Sequence, residues 1–233
     1  MMYIYLCYNG VGDTMRENMI YDTNHYQLRE SVLLRMLEII AQRKECHKGG
    51  IVFYGDSITQ YFPLQQYMSD LGDCINCGIA GMTSDILLKF IDEGVIKYQP
   101  KEVFLMIGTN DLGNTVMASP RDIALNVKEM VEIIHYNLPE TKIHVLGCIP
   151  CIEEIHGYKA ENKGMRSNDI LKMIDKEYRR MIPYDYVHFI PLFQSLCNKK
   201  GEVIKDLYVD GLHIHEKGYE MISQTIHQKI IGE

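Results

Sequence analysis

The chain has 233 residues, of which 46% are hydrophobic and 24% are charged, and its formal net charge is −7. This length and composition predict a single globular domain over residues 1–233 with enough apolar residues to bury a sheet between layers of helices. The acidic balance argues against nucleic acid or an anionic membrane as the main partner, because both require clustered Lys and Arg. A neutral or cationic small substrate fits better.

The N-terminal segment and the cysteines indicate the compartment. The segment lacks a basic start, and no stretch approaches the roughly 18 apolar residues that would span a bilayer. The seven cysteines are an odd number spread through apolar segments, which is typical of reduced, buried thiols. We therefore expect a cytoplasmic protein. Residues 1–24 are expected to form an N-terminal extension, in which residues 1–14 precede a natural start at Met15.

The predicted elements alternate between helices and strands. A leading helix is predicted over residues 25–46, and a short β-favouring run follows at 51–54. Further strands are predicted near residues 74–77, 103–107, 143–147 and 187–191, and helices near 60–71, 84–96, 120–136, 162–181 and 216–231. Because parallel strands need crossover helices, this order predicts an α/β fold with a parallel sheet. A long loop is predicted over residues 151–164.

Four short motifs stand at predicted strand ends or helix starts. They are Gly-Asp-Ser-Ile-Thr at residues 55–59, Asn-Cys-Gly-Ile-Ala-Gly at 76–81, Gly-Thr-Asn-Asp at 108–111 and Asp-Gly-Leu-His at 210–213. Ligands bind beyond the carboxyl ends of the strands in an open parallel sheet. The first three motifs fall at that edge, and the fourth lies in a loop that can fold back over it. Together they predict one site.

The first and last motifs supply a nucleophile and its base. A serine hydroxyl needs a base within hydrogen-bond reach, and His213 can be the base for Ser57. Asp210, three residues before His213, can orient the imidazole and stabilise its charged form. Taken alone, Asp210 would more often belong to a turn and His213 to the surface. The presence of the other motifs favours the catalytic interpretation.

The same edge offers three donors for an oxyanion. They are the backbone N–H groups of Ser57 and Gly81 and the side-chain amide of Asn110. Asp56 is expected to brace the turn beside the nucleophile. Thr109 and Asp111 are expected to support the site from behind. Each of these residues would, by itself, more often serve only a turn.

These motifs resemble those of the SGNH hydrolase superfamily, also called the GDSL esterases, over residues 51–231. Ser57, Gly81, Asn110 and His213 occupy the four name-giving positions. The run at residues 76–83, Gln-Pro-Lys at 99–101 and Gly-Thr-Asn at 108–110 resemble the platelet-activating-factor acetylhydrolase-like branch. The resemblance implies a flavodoxin-like three-layer αβα sandwich with a five-stranded parallel sheet, removal of short acyl groups without a metal or other cofactor, and compatibility with a homodimer. Met82 and the pair at residues 214–215 depart from the branch's common pattern.

Other interpretations of the sequence fit its motifs less well than the esterase does. The Gly-x-Ser-x-Gly elbow of α/β-hydrolases is incomplete after Ser57, and Asp210 is too close to His213 for that fold. Two Cys-x-x-Cys pairs, at residues 74–77 and 148–151, are about 70 residues apart, whereas a zinc ribbon needs about 15–20. The second pair could be a reachable redox dithiol. His215 is more often a helix-start residue than a metal ligand, and no nucleotide-binding glycine motif occurs.

The sequence therefore predicts a serine esterase that hydrolyses a small acyl ester, with acetyl the expected acyl group. A carbohydrate O-deacetylase is one candidate. A lysophospholipase or an arylesterase of the same fold is the alternative, and a non-catalytic binding protein or a dithiol redox module stays open.

Overall fold

The computed structural model describes residues 28–113 and 118–231. The extension expected over residues 1–24, with its start at Met15, lies outside the described residues. Five strands are present in the described part of the chain: β1 Ile51–Gly55, β2 Cys74–Gly78, β3 Glu102–Met106, β4 Lys142–Leu146 and β5 Val187–Ile190. The α-helices of that part are α1 Glu30–Gln42, α2 Ser57–Gln60, α3 Leu64–Tyr67, α4 Ser84–Lys89, α5 Ile91–Gly94, α6 Pro120–Asn137, α7 Glu153–His156, α8 Asn168–Met181 and α9 Glu216–Ile231.

The five strands form one parallel sheet in the order β2-β1-β3-β4-β5. The predicted α/β fold with a five-stranded parallel sheet is confirmed. The chain runs from β1 outward to β2 and then returns to place β3 on the other side of β1. This reversal is the topological switch point, where the carboxyl ends of neighbouring strands diverge and leave room for a ligand.

Side chains alternate between the two faces of the sheet and build two cores. On β1, Val52 and Tyr54 enter the larger core, which α1, α4, α5, α6 and α8 cover. Ile51 and Phe53 enter the smaller core, which α2, α3 and α9 cover. The central strands β1 and β3 are buried on both faces, which explains why they read as continuous apolar runs rather than as alternating patterns.

Local chemistry sets the helix ends. The helix predicted over residues 60–71 is divided into α2 and α3, because the residue before Pro63 is disfavoured in helical geometry. The helix predicted over residues 84–96 is also divided, into α4 and α5, at Phe90. The one predicted from residue 162 begins at Asn168, where the Ser167 side chain accepts the N–H of Ile170 at 3.2 Å.

Within the described residues, no helix combines the length and the apolar sequence needed to cross a bilayer.

Candidate active site

Ser57, His213 and Asp210 form a continuous hydrogen-bonded chain. Ser57 is the first residue of α2, directly beyond the carboxyl end of β1, and is almost completely buried. Its Oγ lies 2.9 Å from His213 Nε2, although 156 residues separate the two along the sequence. His213 Nδ1 lies 2.7 Å from Asp210 Oδ2. The structure therefore brings together the three side chains that the first and last motifs predicted.

The Asp210 carboxylate is fixed by both of its oxygens. While Oδ2 faces the imidazole, Oδ1 accepts the backbone N–H of Leu212 at 3.0 Å and that of His213 at 2.8 Å. Partial burial acts to raise the pKa of Asp210. The hydrogen bonds from His213 and from the two amides outweigh burial and lower the pKa to about 2. Asp210 is thus held as a carboxylate that faces the imidazole.

The three predicted oxyanion donors come from three neighbouring strand ends. Gly81 has a φ of +78°, a conformation that favours glycine. Among the described residues, neither the Ser57 amide nor the Gly81 amide donates a main-chain hydrogen bond. The Asn110 side-chain nitrogen donates to Met82 O at 3.1 Å and carries a second hydrogen. Three N–H donors therefore remain for a ligand oxygen.

Long-range side-chain hydrogen bonds hold the segment that leads to Gly81. Asn76 Nδ2 donates to Thr59 O at 2.8 Å, which ties the end of β2 to α2. Gln60 Oε1 accepts the Ala80 N–H at 2.6 Å. From α1, Arg35 donates to the carbonyls of Gly78 and Asn76 at 3.0 and 2.8 Å. These contacts fix the Gly81 turn relative to the nucleophile.

Two buried carboxylates flank the site. Asp56 accepts the Ile58 N–H at 2.9 Å and caps α2, and burial raises its pKa to about 7. Asp111 accepts the backbone N–H of Ser84 at 3.0 Å and the Ser84 hydroxyl at 2.5 Å, and burial raises its pKa to about 6. Asp56 thus braces the nucleophile's turn, and Asp111 links the end of β3 to the start of α4.

Arg166 is a residue of the site that the sequence analysis missed. Its Nε donates to both Thr109 O, at 3.1 Å, and Thr109 Oγ1, at 2.9 Å. Its Nη1 donates to His156 O at 3.0 Å. The His156 ring lies 6.4 Å from the His213 ring, centroid to centroid. Because these contacts span 57 and 10 residues, no local pattern could have signalled them.

A cavity of about 480 Å³ opens beside His213. Tyr61, in the turn after α2, is 53% exposed, and its ring meets the edge of the His213 ring at a centroid distance of 5.6 Å. The cavity is lined by Tyr61, Pro63, Val209, Asp210, His213, Ile214, His215, Glu216 and Tyr219. Its surface is therefore mostly apolar and aromatic, next to the base of the hydrogen-bonded chain.

The two cysteine pairs are free thiols inside the protein. The alternative of a reachable redox dithiol at residues 148–151 does not agree with the structure, because Cys148 is 4% and Cys151 0% exposed. Burial raises the pKa of Cys148 well above its ordinary value and that of Cys151 to about 11. Over residues 28–113 and 118–231, no group of three or more His, Cys, Asp or Glu is arranged to hold a metal ion.

Comparisons with known proteins agree with this geometry. The sequence profile of the GDSL-like Lipase/Acylhydrolase family matches residues 53–221. The platelet-activating factor acetylhydrolase IB subunit alpha2 of Gallus gallus is 26% identical over 188 residues, which cover 78% of this chain and 76% of that protein.

Two solved structures illustrate the shared fold. A GDSL-like lipase from Bacteroides thetaiotaomicron superposes with a TM-score of 0.72 at 19% identity, over 84% of this chain and 97% of the other. A carbohydrate esterase family 3 protein from Talaromyces cellulolyticus superposes with a TM-score of 0.61 at 20% identity, over 79% and 97%.

Proposed function

Because the chain belongs to the GDSL-like lipase/acylhydrolase family and is an ester-cleaving hydrolase, we propose that Ser57, His213 and Asp210 are its catalytic triad and that it removes short acyl groups, acetyl above all, from an alcohol. The observation that carries the proposal is the hydrogen-bonded chain from Asp210 Oδ2 through His213 to Ser57 Oγ. It lies at the sheet's switch point, among three N–H donors.

In the first half-reaction, Ser57 Oγ attacks the ester carbonyl carbon while His213 Nε2 takes the hydroxyl proton. The carbonyl oxygen becomes an oxyanion, which the N–H groups of Ser57 and Gly81 and the Asn110 amide stabilise. Asp210 stabilises the imidazolium that forms. The tetrahedral intermediate then collapses, the bond to the alcohol oxygen breaks, and His213 gives its proton to the departing alcohol.

In the second half-reaction, His213 takes a proton from water, and the resulting hydroxide attacks the acyl-enzyme carbonyl. The same donors stabilise the second oxyanion. Collapse breaks the bond to Ser57 Oγ, His213 returns the proton to the serine, and the carboxylic acid leaves. The same group serves as base and acid in turn, so no cofactor is needed to balance the protons.

The acyl preference draws on the relatives. The name of the Gallus gallus relative describes an acetylhydrolase, and a structural relative at 19% identity is an acetyl esterase. We extend this preference to the chain as part of the proposal. It agrees with the match of the segments around Gly81 and Asn110 to the acetylhydrolase-like branch.

The cavity beside His213 bears on the alcohol. It borders His213, the residue proposed to protonate the leaving alcohol, and its exposed Tyr61 ring and Val209 offer apolar contact. The described residues that line it include two carboxylates, Asp210 and Glu216, and no Lys or Arg. A lysophospholipid phosphate would meet unfavourable charge there, whereas a neutral ring such as a sugar can pack on Tyr61. This favours the carbohydrate O-deacetylase over the lysophospholipase, and an arylesterase stays the second candidate.

A labelling experiment tests the catalytic assignment. A fluorophosphonate should label the wild-type protein at Ser57, before and after the thiols are blocked, and should not label Ser57→Ala. Ser57→Ala should also lose turnover of p-nitrophenyl acetate while its circular dichroism spectrum is retained. Labelling that persists in the variant, or that thiol blocking abolishes, would overturn the triad.

A substrate panel tests the acyl and alcohol preferences. We expect kcat/KM to fall from C2 to C12 p-nitrophenyl esters, and acetylated sugars to be turned over in preference to a lysophospholipid. Turnover of aryl esters alone would favour the arylesterase. Preferred turnover of the lysophospholipid would contradict the argument from the cavity.

We propose a small-molecule ester as the partner, no nucleic acid or membrane, and a cytoplasmic location. Sedimentation velocity at several protein concentrations tests the homodimer that the related branch is compatible with.

A further inference from the structure

Arg166 is a buried cation beneath the candidate active site. It is 3% exposed, and in the part of the chain that the structure describes no other Lys or Arg is buried. A buried guanidinium is costly unless its N–H groups are hydrogen-bonded. Nε of Arg166 donates to the carbonyl and hydroxyl of Thr109 and Nη1 donates to the carbonyl of His156, so these bonds join it to two segments of the chain rather than to a carboxylate.

We infer that Arg166 is a positioning residue for the oxyanion donor Asn110, an inference that rests on the proposed function. It acts through Thr109, the residue directly before Asn110. Nε spans both acceptors of Thr109, which fixes the backbone and the side chain of that residue together. The guanidinium is itself not placed to touch substrate through these groups, since they are engaged with the protein.

On its far side the turn that carries Asn110 is held by the bonds from Ser84 to Asp111, and the hydrogen bonds within the turn are weaker at Thr109 than at Asn110. Gly113 N donates to Asn110 O at 2.9 Å, but the bond from Leu112 N to Thr109 O is long, at 3.4 Å. Arg166 supplies the shorter bond to that same Thr109 carbonyl. The N–H of its neighbour Met165 donates to Leu112 O at 2.9 Å. The segment before α8 therefore contacts the turn at both Thr109 and Leu112.

A second nitrogen of the Arg166 guanidinium contacts α7. Nη1 donates to His156 O, at the end of α7. The residue before α7 is bonded to the turn at residues 210–213, which we call the catalytic turn, because Ile152 N donates to Gly211 O at 2.8 Å. Arg166 thus spans the Asn110 turn and the loop that supports Asp210 and His213. One side chain fixes the separation between the oxyanion donor and the base.

The charge of Arg166 supports the same placement. Burial raises the pKa of Asp56, and the Arg166 charge is one of the influences that oppose this rise. Asp210 in turn opposes the lowering of the Arg166 pKa by burial. The cation is therefore close enough to both carboxylates to interact with them.

The test compares Arg166→Met with Arg166→Lys on p-nitrophenyl acetate. Loss of the anchor should lower kcat by roughly 10- to 100-fold and leave KM within about threefold, because a misplaced oxyanion donor weakens binding of the transition state rather than of the ester. Lysine keeps the charge but not the two-point contact with Thr109, so Arg166→Lys should recover only part of the rate. Arg179→Met is the control, since the Arg179 guanidinium packs over the Phe189 ring, 4.5 Å from its centroid, rather than on the Thr109 turn; it should leave kcat unchanged.

A double-mutant cycle with Asn110→Ala separates positioning from a general structural role. Asn110→Ala should lower kcat by roughly 10²–10³-fold. If Arg166 acts through Asn110, adding Arg166→Met to that variant should cause little further loss. A full additional loss in the Asn110→Ala background, or an unchanged kcat in Arg166→Met, would contradict the inference.

Two further outcomes are kept distinct. If Arg166→Met does not fold, the cycle is run with Thr109→Val, which removes the hydroxyl acceptor of Arg166 at nearly constant size, and the same non-additivity with Asn110→Ala is required. If Ser57→Ala retains activity, the proposed function fails, whichever result Arg166 gives.

Discussion

Asp56 directly precedes Ser57 and Asp210 contacts His213, yet the two carboxyl groups differ widely in pKa. Burial raises the pKa of Asp56 to about 7, because its carboxylate accepts one backbone amide and lies out of solvent. Asp210 is less buried and receives bonds from His213 and two amides, which hold its pKa at about 2. Environments that separate two carboxyl groups in this way assign them different roles. Asp210 is suited to face an imidazolium, and Asp56 to cap a helix.

The role of Asp210 leads to a prediction for Asp210→Asn. The asparagine carbonyl can still accept the N–H groups of Leu212 and His213, so the turn should persist. The amide cannot stabilise an imidazolium and can select the wrong tautomer, so kcat for p-nitrophenyl acetate should fall by roughly 10³–10⁴-fold. Asp206→Asn, in the same loop, is the control and should retain its rate. Equal rates for the two variants would remove Asp210 from the triad.

At the scale of elements, the alternation of strands and helices predicted what positions the site. Each strand is a short apolar run, and each of the first three is followed by a motif that carries Ser57, Gly81 or Asn110. Parallel strands end at a common edge, so order along the chain was enough to predict proximity. His213 is 156 residues from Ser57, and its position just before the last helix predicted that it returns to the same edge of the sheet.

What the sequence could not predict depends on burial and long-range bonds. Arg166 looks like an ordinary loop arginine until the fold places Thr109 against it. The raised pKa values of Asp56 and Asp111 follow from the depth of those side chains beneath the sheet edge. Cys148 follows a strand end as the motif residues do, yet its side chain turns into the core. Position in the chain gives the edge, but not the direction of each side chain.

The catalytic turn gives a prediction at the same scale. Gly211 has a φ of +87°, and a Cβ there would lie 2.8 Å from Ile155 Cβ in α7. Gly211→Ala should therefore push the 210–213 turn away from α7, and both kcat and the free energy of unfolding should fall. Gly201 also has a positive φ, of +81°, but a Cβ there meets nothing within 4 Å.

Gly201→Ala is thus a control for backbone strain alone, which costs roughly 1–2 kcal/mol. It should reduce stability in urea unfolding and leave kcat unchanged. Gly211→Ala should lower kcat at least tenfold more than this control. If the two alanine variants have the same kcat, the contact between the catalytic turn and α7 does not position His213.

For the whole molecule, three buried carboxylates make stability depend on pH. Burial raises the pKa of Asp56 to about 7 and those of Asp111 and Asp175 to about 6. In the unfolded chain an aspartate titrates near its ordinary value of about 3.8. The folded protein therefore binds more protons than the unfolded chain between about pH 4 and 7, and the stability from these groups rises as pH falls through that range.

Other groups oppose this trend at its edges. Burial lowers the pKa of His156 below its ordinary value. As the pH falls through that ordinary value, the unfolded chain binds the proton first, so His156 lowers the stability of the fold in acid. Asp210 has a pKa of about 2, so it stabilises the fold at any pH above the ordinary aspartate pKa, and this stabilisation is lost only as the pH falls toward 2. With three carboxylates against one histidine, we expect the melting temperature to be higher near pH 5.5 than near pH 8.

Asp175→Asn tests the origin of that slope. Asp175 Oδ1 accepts the Cys148 N–H at 2.9 Å, and the asparagine oxygen can keep that bond without carrying a charge. The variant should gain stability at pH 8, gain little at pH 5, and flatten the profile of melting temperature against pH. A melting temperature that rises steadily from pH 5 to 8 in the wild type would show that the buried carboxylates do not control the stability of the fold.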